Sequence, residues 1–549
     1  MKLFFSCLAL MALISCENTV QYDLLLKNGT IYDGSGNQPY TGDVAINADT
    51  IAAIGKLENA RGVQEIELNG LAVSPGFINM LSWANQSLIE DGRSQSDIRQ
   101  GVTLEVMGEG WSMGPLTDSM KIKMEENQQD IKFDVTWTTL GEYLQYLEDK
   151  GVSPNITSFV GNGTLREYVI GMENRPASKL EIELMQTLVH QAMQEGAVGL
   201  SSSLLYAPSG YASTEELIAL SRIAALYDGM YISHIRNESD QLLESIEEII
   251  TIADKADIRS EVYHLKASGK ENWNKLDSAI AMIEEARGKG LEITADIYTY
   301  PASSTGLHVQ LPDWVREGGV EATIKRLSDP ALRQKAIEET EFEHPPESIM
   351  LVGFKNEDLR EYTGMRLNEV ATILGMSPAE AMAELIVRDD SRIQVVYFSM
   401  AEDNIAKKVA LPWVSFCSDA GSYATEGVFL AQSTHPRAYG SFIRVIGKYT
   451  RDERVLTLEE AIRKLTSFPA ENLKIKKRGT LKQGYYADVV VFDPEKVIDK
   501  ATFEEPHQYA EGVLHVFVNG EQVLSDGEHT GALPGRFVKG PGYQKKLDN

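Results

Sequence analysis

The sequence predicts an α/β chain: a closed (β/α)8 barrel flanked by a small sheet domain that both ends of the chain build together. Apolar strand-like runs begin near Ile156, Val198, Met230, Glu261 and Leu291, and helical patterns fill the gaps at Leu180 to Gln194, Glu215 to Leu226, Leu242 to Ala256 and Leu276 to Ala286. From Met230 onward the runs are spaced 31 and then 30 residues apart, the length of one strand, one helix and two loops, and so of a parallel sheet. The unit recurs too often for a small sheet. No Gly-x-Gly-x-x-Gly turn follows the first strand, which favours the barrel over a doubly wound sheet.

In chain order, residues 1–15 read as a secretory signal: a basic start at Lys2, an apolar run to Ile14, and Leu13-Ile14-Ser15-Cys16 in the pattern of a bacterial lipobox. Cleavage before Cys16 would leave that residue as the lipidation point. The expectation is an exported protein, lipid-anchored to a bacterial membrane on the periplasmic or outer-membrane side. Residues 22–75 alternate like short strands broken at Asn28-Gly29 and Asp33-Gly34-Ser35-Gly36, and predict a small antiparallel sheet. Residues 478–540 have the same texture, so the two segments are expected to pair into one sheet domain around a barrel at 76–477. Residues 303–399 break the barrel rhythm with Pro345-Pro346 and many charges, which predicts an insertion or lid over the barrel mouth.

Composition narrows the function. The 549 residues carry a net charge of −28, which disfavours nucleic acid as a partner. Of three cysteines, Cys7, Cys16 and Cys417, only Cys417 lies outside the leader, so neither a disulfide framework nor a cysteine-based zinc finger is available. Catalytic groups of a barrel enzyme sit at the C-terminal ends of its strands. There the sequence places Glu109 after Val102 to Gly108, His234 after Met230 to Ser233, His264 after Glu261 to Tyr263, and Asp419 after Val414 to Ser418. Two imidazoles and two carboxylates at one mouth suit a divalent ion plus a carboxylate that handles protons. Side chains two apart share a strand face, so Arg236 is expected beside His234 and Lys266 beside His264, either to hold a substrate carboxylate or to form rim salt bridges.

Pro75-Gly76-Phe77-Ile78, Gly163-Thr164-Leu165-Arg166, Ser233 to Glu238, His264-Leu265-Lys266, Ser418-Asp419, His435 to Gly440 and Arg478-Gly479-Thr480-Leu481 together resemble the N-acyl-D-amino-acid deacylases (D-aminoacylases) of the amidohydrolase superfamily. The likeness runs from about Tyr22 to Val538. It implies a TIM-like barrel with a flanking β-sandwich, a divalent metal ion, zinc foremost, and hydrolysis of the N-acyl amide of D-amino acids or related D-configured amides. By position it implies His234 and His264 as metal ligands, Glu109 where such deacylases carry a cysteine ligand, and Asp419 as general base. Arg236, Lys266, Tyr206, Tyr298 and Arg437 fall where substrate-holding residues are expected. One departure stands out: the first strand, where the superfamily has His-x-His, carries Leu81 and Trp83, so a single ion is expected, with Trp83 and Leu81 filling the vacated space. A glutamate ligand also makes manganese, cobalt or iron more suitable than a cysteine would. The alternative is a catalytically silent barrel that binds a carboxylate ligand.

Overall fold

The computed structural model describes residues 20–544. The leader and its Cys16 lie outside the described residues. Eight parallel strands form the barrel: β1 (Phe77–Asn79), β2 (Val102–Met107), β3 (Asn155–Ser158, resuming as Val160–Gly161), β4 (Gly199–Ser203), β5 (Met230–His234), β6 (Ser260–Val262), β7 (Ile293–Ile297) and β8 (Val414–Phe416). Every residue of these strands is buried, the pattern of a parallel sheet covered on both faces. Neighbours pair in parallel, β1 with β2 and β2 with β3, then β3 through β7 in sequence to β8. The ring closes where Met80 N–H donates to Phe416 O at 3.3 Å and Ser82 bridges Ala420.

The outer helices follow local chemistry. Lys179–Glu195 starts on a Ser178–Glu181 capping box and ends at Gly196, whose φ of +112° is left-handed. Leu242–Ala256 turns Ile246, Ile249, Ile252 and Ala253 inward at helical spacing. Most of the barrel and its helices share one hydrophobic core.

Both chain ends build one nine-stranded sheet. Ala72–Pro75 pairs antiparallel with Val489–Phe492, which pairs with Val513–Val518. The far edge strand, Thr50–Gly55, meets the backbone of residues 484–486, so the sheet curls back around Leu26, Val44, Ile51, Val489 and Phe517. The expected antiparallel pattern of its N-terminal part is corrected. Val20–Ile31 pairs antiparallel with Tyr40–Asn47 but parallel with Ala60–Glu67 and with Ala72–Pro75. Its twelve residues are long enough to serve three partners, and alternation of side chains along a strand carries no information on strand direction.

Residues 303–397 contain a three-stranded antiparallel sheet, Ser303–Gly306, Gln394–Tyr397 and Ile349–Gly353, with its own apolar core including Leu351, Leu385 and Val395. The strand Ser303–Gly306 reaches the barrel mouth: Ser304 O accepts from Arg437 Nη2 at 3.4 Å, and Thr305 Oγ1 lies 2.7 Å from Tyr206 Oη.

Candidate metal centre and active site

The candidate metal ligands and base sit where barrel strands end, and at Glu109, His264 and Asp419 the backbone also bends sharply. Glu109 follows β2 between Gly108 and Gly110, at φ of +98° and +62°. A Cβ on Gly108 would stand 2.4 Å from Phe159 O, and one on Gly110 would stand 2.3 Å from Ser203 Cβ. Only glycine on both sides lets this loop lie against β3 and β4, and that pressing aims Glu109 inward. His264 follows β6 at φ +35°, its N–H donating to Asp296 Oδ1 at 2.7 Å. Asp419 follows β8 at φ +49°, its N–H donating to Leu81 O at 2.9 Å. His234 is the last residue of β5.

These positions bring Glu109, His234 and His264 together, all buried. Glu109 Oε1 lies 2.9 Å from His234 Nδ1 and 3.0 Å from His264 Nε2, and the two ring nitrogens are 3.0 Å apart. Three lone-pair atoms this close repel unless a proton or a cation lies among them. One carboxylate oxygen and two imidazole nitrogens form a set that zinc and similar divalent ions accept, so the residues fit such an ion. Burial opposes ionisation, but hydrogen bonds from His234 and His264 hold the Glu109 carboxyl well below the usual carboxylate range. Burial and Lys266 oppose protonation of His264, yet Glu238 and Glu109 push its imidazole up to about 10.

Glu238, absent from the residues expected at the site, stands behind both histidines. Its Oε1 is 2.6 Å from Lys266 Nζ and 3.1 Å from His264 Nδ1, and its Oε2 is 3.9 Å from His234 Nε2. A carboxylate on the far side of a ligating imidazole fixes the ring's orientation and tautomer. Burial works against its charge, but Lys266 and the two histidines keep its carboxyl well below the usual range. The available signal was its place four residues after His234 in the same loop.

Asp419 faces the centre from the opposite side of the barrel closure. Its Oδ2 lies 2.6 Å from Arg437 Nη1, and its Oδ1 accepts from Trp83 Nε1 at 3.2 Å. Burial raises the Asp419 carboxyl above its ordinary value, and Arg437 pulls it back only in part. Arg437 is itself 4% exposed, and its planar guanidinium lies 4.5 Å over the Tyr298 ring. Its Nε has no hydrogen-bond partner, and Nη1, although close to Asp419, is off the hydrogen-bonding direction. His435 sets the start of the helix Arg437–Arg444, its Nδ1 accepting from Arg437 N–H at 2.9 Å.

The remaining expected residues divide. Lys266 is buried and its Nζ lies 2.8 Å from His264 Nδ1, so it stands beside the centre, paired with Glu238. Tyr206 packs 5.3 Å from the His234 ring, and Tyr298 lies between Lys266 and Arg437, with Lys266 Nζ 5.7 Å from its ring. Arg236 is a correction. Its guanidinium grips Glu248 with two contacts, Nε–Oε2 at 3.0 Å and Nη2–Oε1 at 2.9 Å, and donates to Gly210 O and Ala212 O. It braces the wall and has little left to give a ligand. The two-residue alternation that put it beside His234 holds only inside a strand, and β5 ends at His234. Cys417 is a buried free thiol. All of these groups except Cys417 line or back a cavity of about 1010 Å3 between the barrel mouth and residues 303–397.

A model of the amidohydrolase family matches residues 64–524. The D-aminoacylase of Alcaligenes xylosoxydans xylosoxydans is 31% identical over 529 residues, 96% of this chain and 99% of that protein. A solved D-aminoacylase structure, described by its binuclear metal center with one-metal activation and second-metal attenuation, superposes with a TM-score of 0.79 at 30% identity over 94% of this chain and 100% of that one. The N-acyl-D-glutamate deacylase of Bordetella bronchiseptica, solved with zinc and a phosphonate that mimics the tetrahedral intermediate, gives 0.78 at 28% identity over 95% and 100%. The chain therefore belongs to the amidohydrolase family, in its D-aminoacylase branch, as a metal-dependent hydrolase of carbon–nitrogen bonds other than peptide bonds.

Proposed function

We propose that the protein removes the acyl group from an N-acyl-D-amino acid, or from a closely related D-configured amide, with water as the nucleophile and one divalent ion held by Glu109, His234 and His264. When bound, the ion would acidify a water and polarise the acyl oxygen. Zinc is the first choice, because the related N-acyl-D-glutamate deacylase was solved with it. Asp419 takes the proton of the attacking water and delivers it to the leaving nitrogen. A buried carboxyl with a raised pKa is suited to accept and then return a proton near neutral pH.

The observation that carries the substrate class is Arg437: a buried guanidinium with unspent donors, turned toward the same cavity as the proposed base. Such donors call for an anionic oxygen acceptor, and the α-carboxylate of an N-acyl amino acid supplies two. Its arrival would also offset the charge that pulls Asp419 down, making the base stronger only once substrate is in place. Lys266, Tyr206 and Tyr298 complete the wall around that carboxylate.

The test is a panel of N-acetyl-D- and N-acetyl-L-amino acids offered to the zinc-loaded enzyme, with release of free amino acid as the readout. Turnover confined to the D series, and lost in Asp419→Asn with zinc still bound, is expected. No turnover of any member by zinc-loaded enzyme would favour the silent carboxylate-binding barrel. From the leader we further propose attachment to a bacterial membrane through lipid on Cys16. Incorporation of labelled fatty acid that Cys16→Ala abolishes would support it, and equal labelling of the variant would refute it.

A further inference from the structure

Glu109 and Asp419 approach the centre from β2 and β8, and among the described residues one donor serves both. Trp83 Nε1 lies 3.0 Å from Glu109 Oε2 and 3.2 Å from Asp419 Oδ1. Its backbone is anchored independently, Trp83 N–H donating to Ala420 O at 2.9 Å. Glu109 is thereby divided in its duties: Oε1 faces the two imidazoles and Oε2 faces the indole.

Two buried carboxylates that converge repel each other, and the repulsion is relieved by a proton, a second cation or a shared donor. Here the shared donor is present. An indole N–H offers one hydrogen and no lone pair, so it can bridge carboxylates but cannot ligate a metal. The other side chain of this segment, Leu81, is fully buried and apolar. The end of β1 thus supplies no metal donor, and the gap between the two carboxylates is already bridged.

We propose that Trp83 is a positioning residue that limits this centre to one ion, its N–H doing for Glu109 and Asp419 what a second cation would otherwise do. In this role it also holds Glu109 so that Oε1 alone faces the ion. The proposal rests on Glu109, His234 and His264 being the ion site and is independent of which amide is hydrolysed.

Ion-free full-length mature protein is titrated with zinc, freed of unbound metal and analysed by elemental mass spectrometry, with chelator competition for affinity. The wild type is expected to retain one zinc per chain even from a tenfold excess. Trp83→Phe keeps a ring but loses the donor, and is expected to bind its zinc about 10- to 100-fold more weakly, the effect of losing a partner behind a metal ligand. Trp83→His, which places a ring nitrogen between the same carboxylates, is expected to take up a second zinc. Two zinc ions in the wild type would overturn the proposal, as would a Trp83→Phe affinity equal to the wild type's. Should a variant fail to fold, the wild-type stoichiometry still decides the single-ion claim. No zinc in the wild type would remove the ion site itself, and the D-amide panel separates that failure from this one.

Discussion

Replacing Arg437 by Met removes the guanidinium and keeps much of the side chain's length. In the structure this residue is 4% exposed, with Nε unpartnered and Nη1 misaligned toward Asp419. A substrate carboxylate seated there gains two charge-assisted hydrogen bonds at about 1.5–3 kcal/mol each. At about 1.4 kcal/mol per decade, their sum corresponds to a loss of roughly 10²- to 10⁴-fold in kcat/KM. A second consequence has a definite sign. Burial already raises the Asp419 carboxyl and Arg437 is the first group that lowers it, so removing Arg437 moves the acid limb of the rate profile to higher pH. The assay is kcat/KM from pH 5 to 9 on an N-acetyl-D-amino acid and on its α-carboxamide. The wild type should discriminate against the carboxamide by about the factor above, and Arg437→Met should treat the two alike, since the lost partner is the same in either case. A variant that still prefers the carboxylate more than about tenfold, or whose acid limb stays in place, would refute the assignment.

Asp419→Asn keeps the shape but cannot accept a proton, so kcat should fall about 10²- to 10⁴-fold with metal content unchanged, as elemental analysis would verify. Glu238→Gln should weaken zinc binding about 10- to 100-fold by chelator competition. Glu238 also helps push His264 up to about 10, so wild-type protein should expel a proton from that ring when zinc binds at pH 8, and the variant should expel fewer; a pH-stat reads the difference. In the barrel interior, burial raises Glu105 to about 7 and Asp296 to about 6. Raised carboxyl values give stability that is fully present below the unfolded pKa and lost as pH rises through the folded one. Buried histidines held neutral, His308 and His435 among them, act in the opposite direction, so the contribution is read by difference: from pH 5 to pH 8 the wild type should lose more unfolding temperature than Glu105→Gln, measured by calorimetry on protein in one metal state.

Much of the barrel can be read from residues because its signal is local and repeated. Met230, Glu261 and Leu291 are spaced by one strand-helix unit, and a polar residue closing a mostly apolar run marks the mouth. Glu109, His234, His264 and Asp419 stand out in this way even though they lie far apart in sequence. The exceptions occur where a local rule stops. Arg236 lies beyond the end of β5, where the chain leaves the strand and the guanidinium finds Glu248. The parallel pairing of Val20–Ile31 depends on where the chain returns, which alternation does not encode. Glu238 has a role defined by contacts across the barrel mouth and would pass in sequence for a loop acid, whereas Trp83 is legible as the occupant of a first-strand metal position but its N–H contacts to Glu109 and Asp419 are not.

The barrel closure ties the chemistry to the fold. Between β1 and β8, three backbone contacts follow one another: Met80 N–H to Phe416 O at 3.3 Å, Asp419 N–H to Leu81 O at 2.9 Å, and Trp83 N–H to Ala420 O at 2.9 Å. Asn79 reinforces the same seam, its Oδ1 accepting from Ser418 N–H at 2.9 Å and its Nδ2 donating to Ser418 Oγ at 2.8 Å. Asp419 holds a left-handed backbone, uncommon for a non-glycine residue though less so for aspartate, and its surroundings fix it there through the N–H bond to Leu81 O. The surroundings here are the first strand of the barrel. The position of the proposed base, and of the indole that bridges it to Glu109, is therefore set by the hydrogen bonds that close the ring. A substitution that loosens the seam without touching the cavity, such as Asn79→Ala, should lower kcat more than it changes zinc affinity, because His234 and His264 are carried by β5 and the end of β6 on the other side of the barrel. Equal losses in both would show that the closure supports the whole centre, and would separate base positioning from ion binding far less cleanly than the geometry implies.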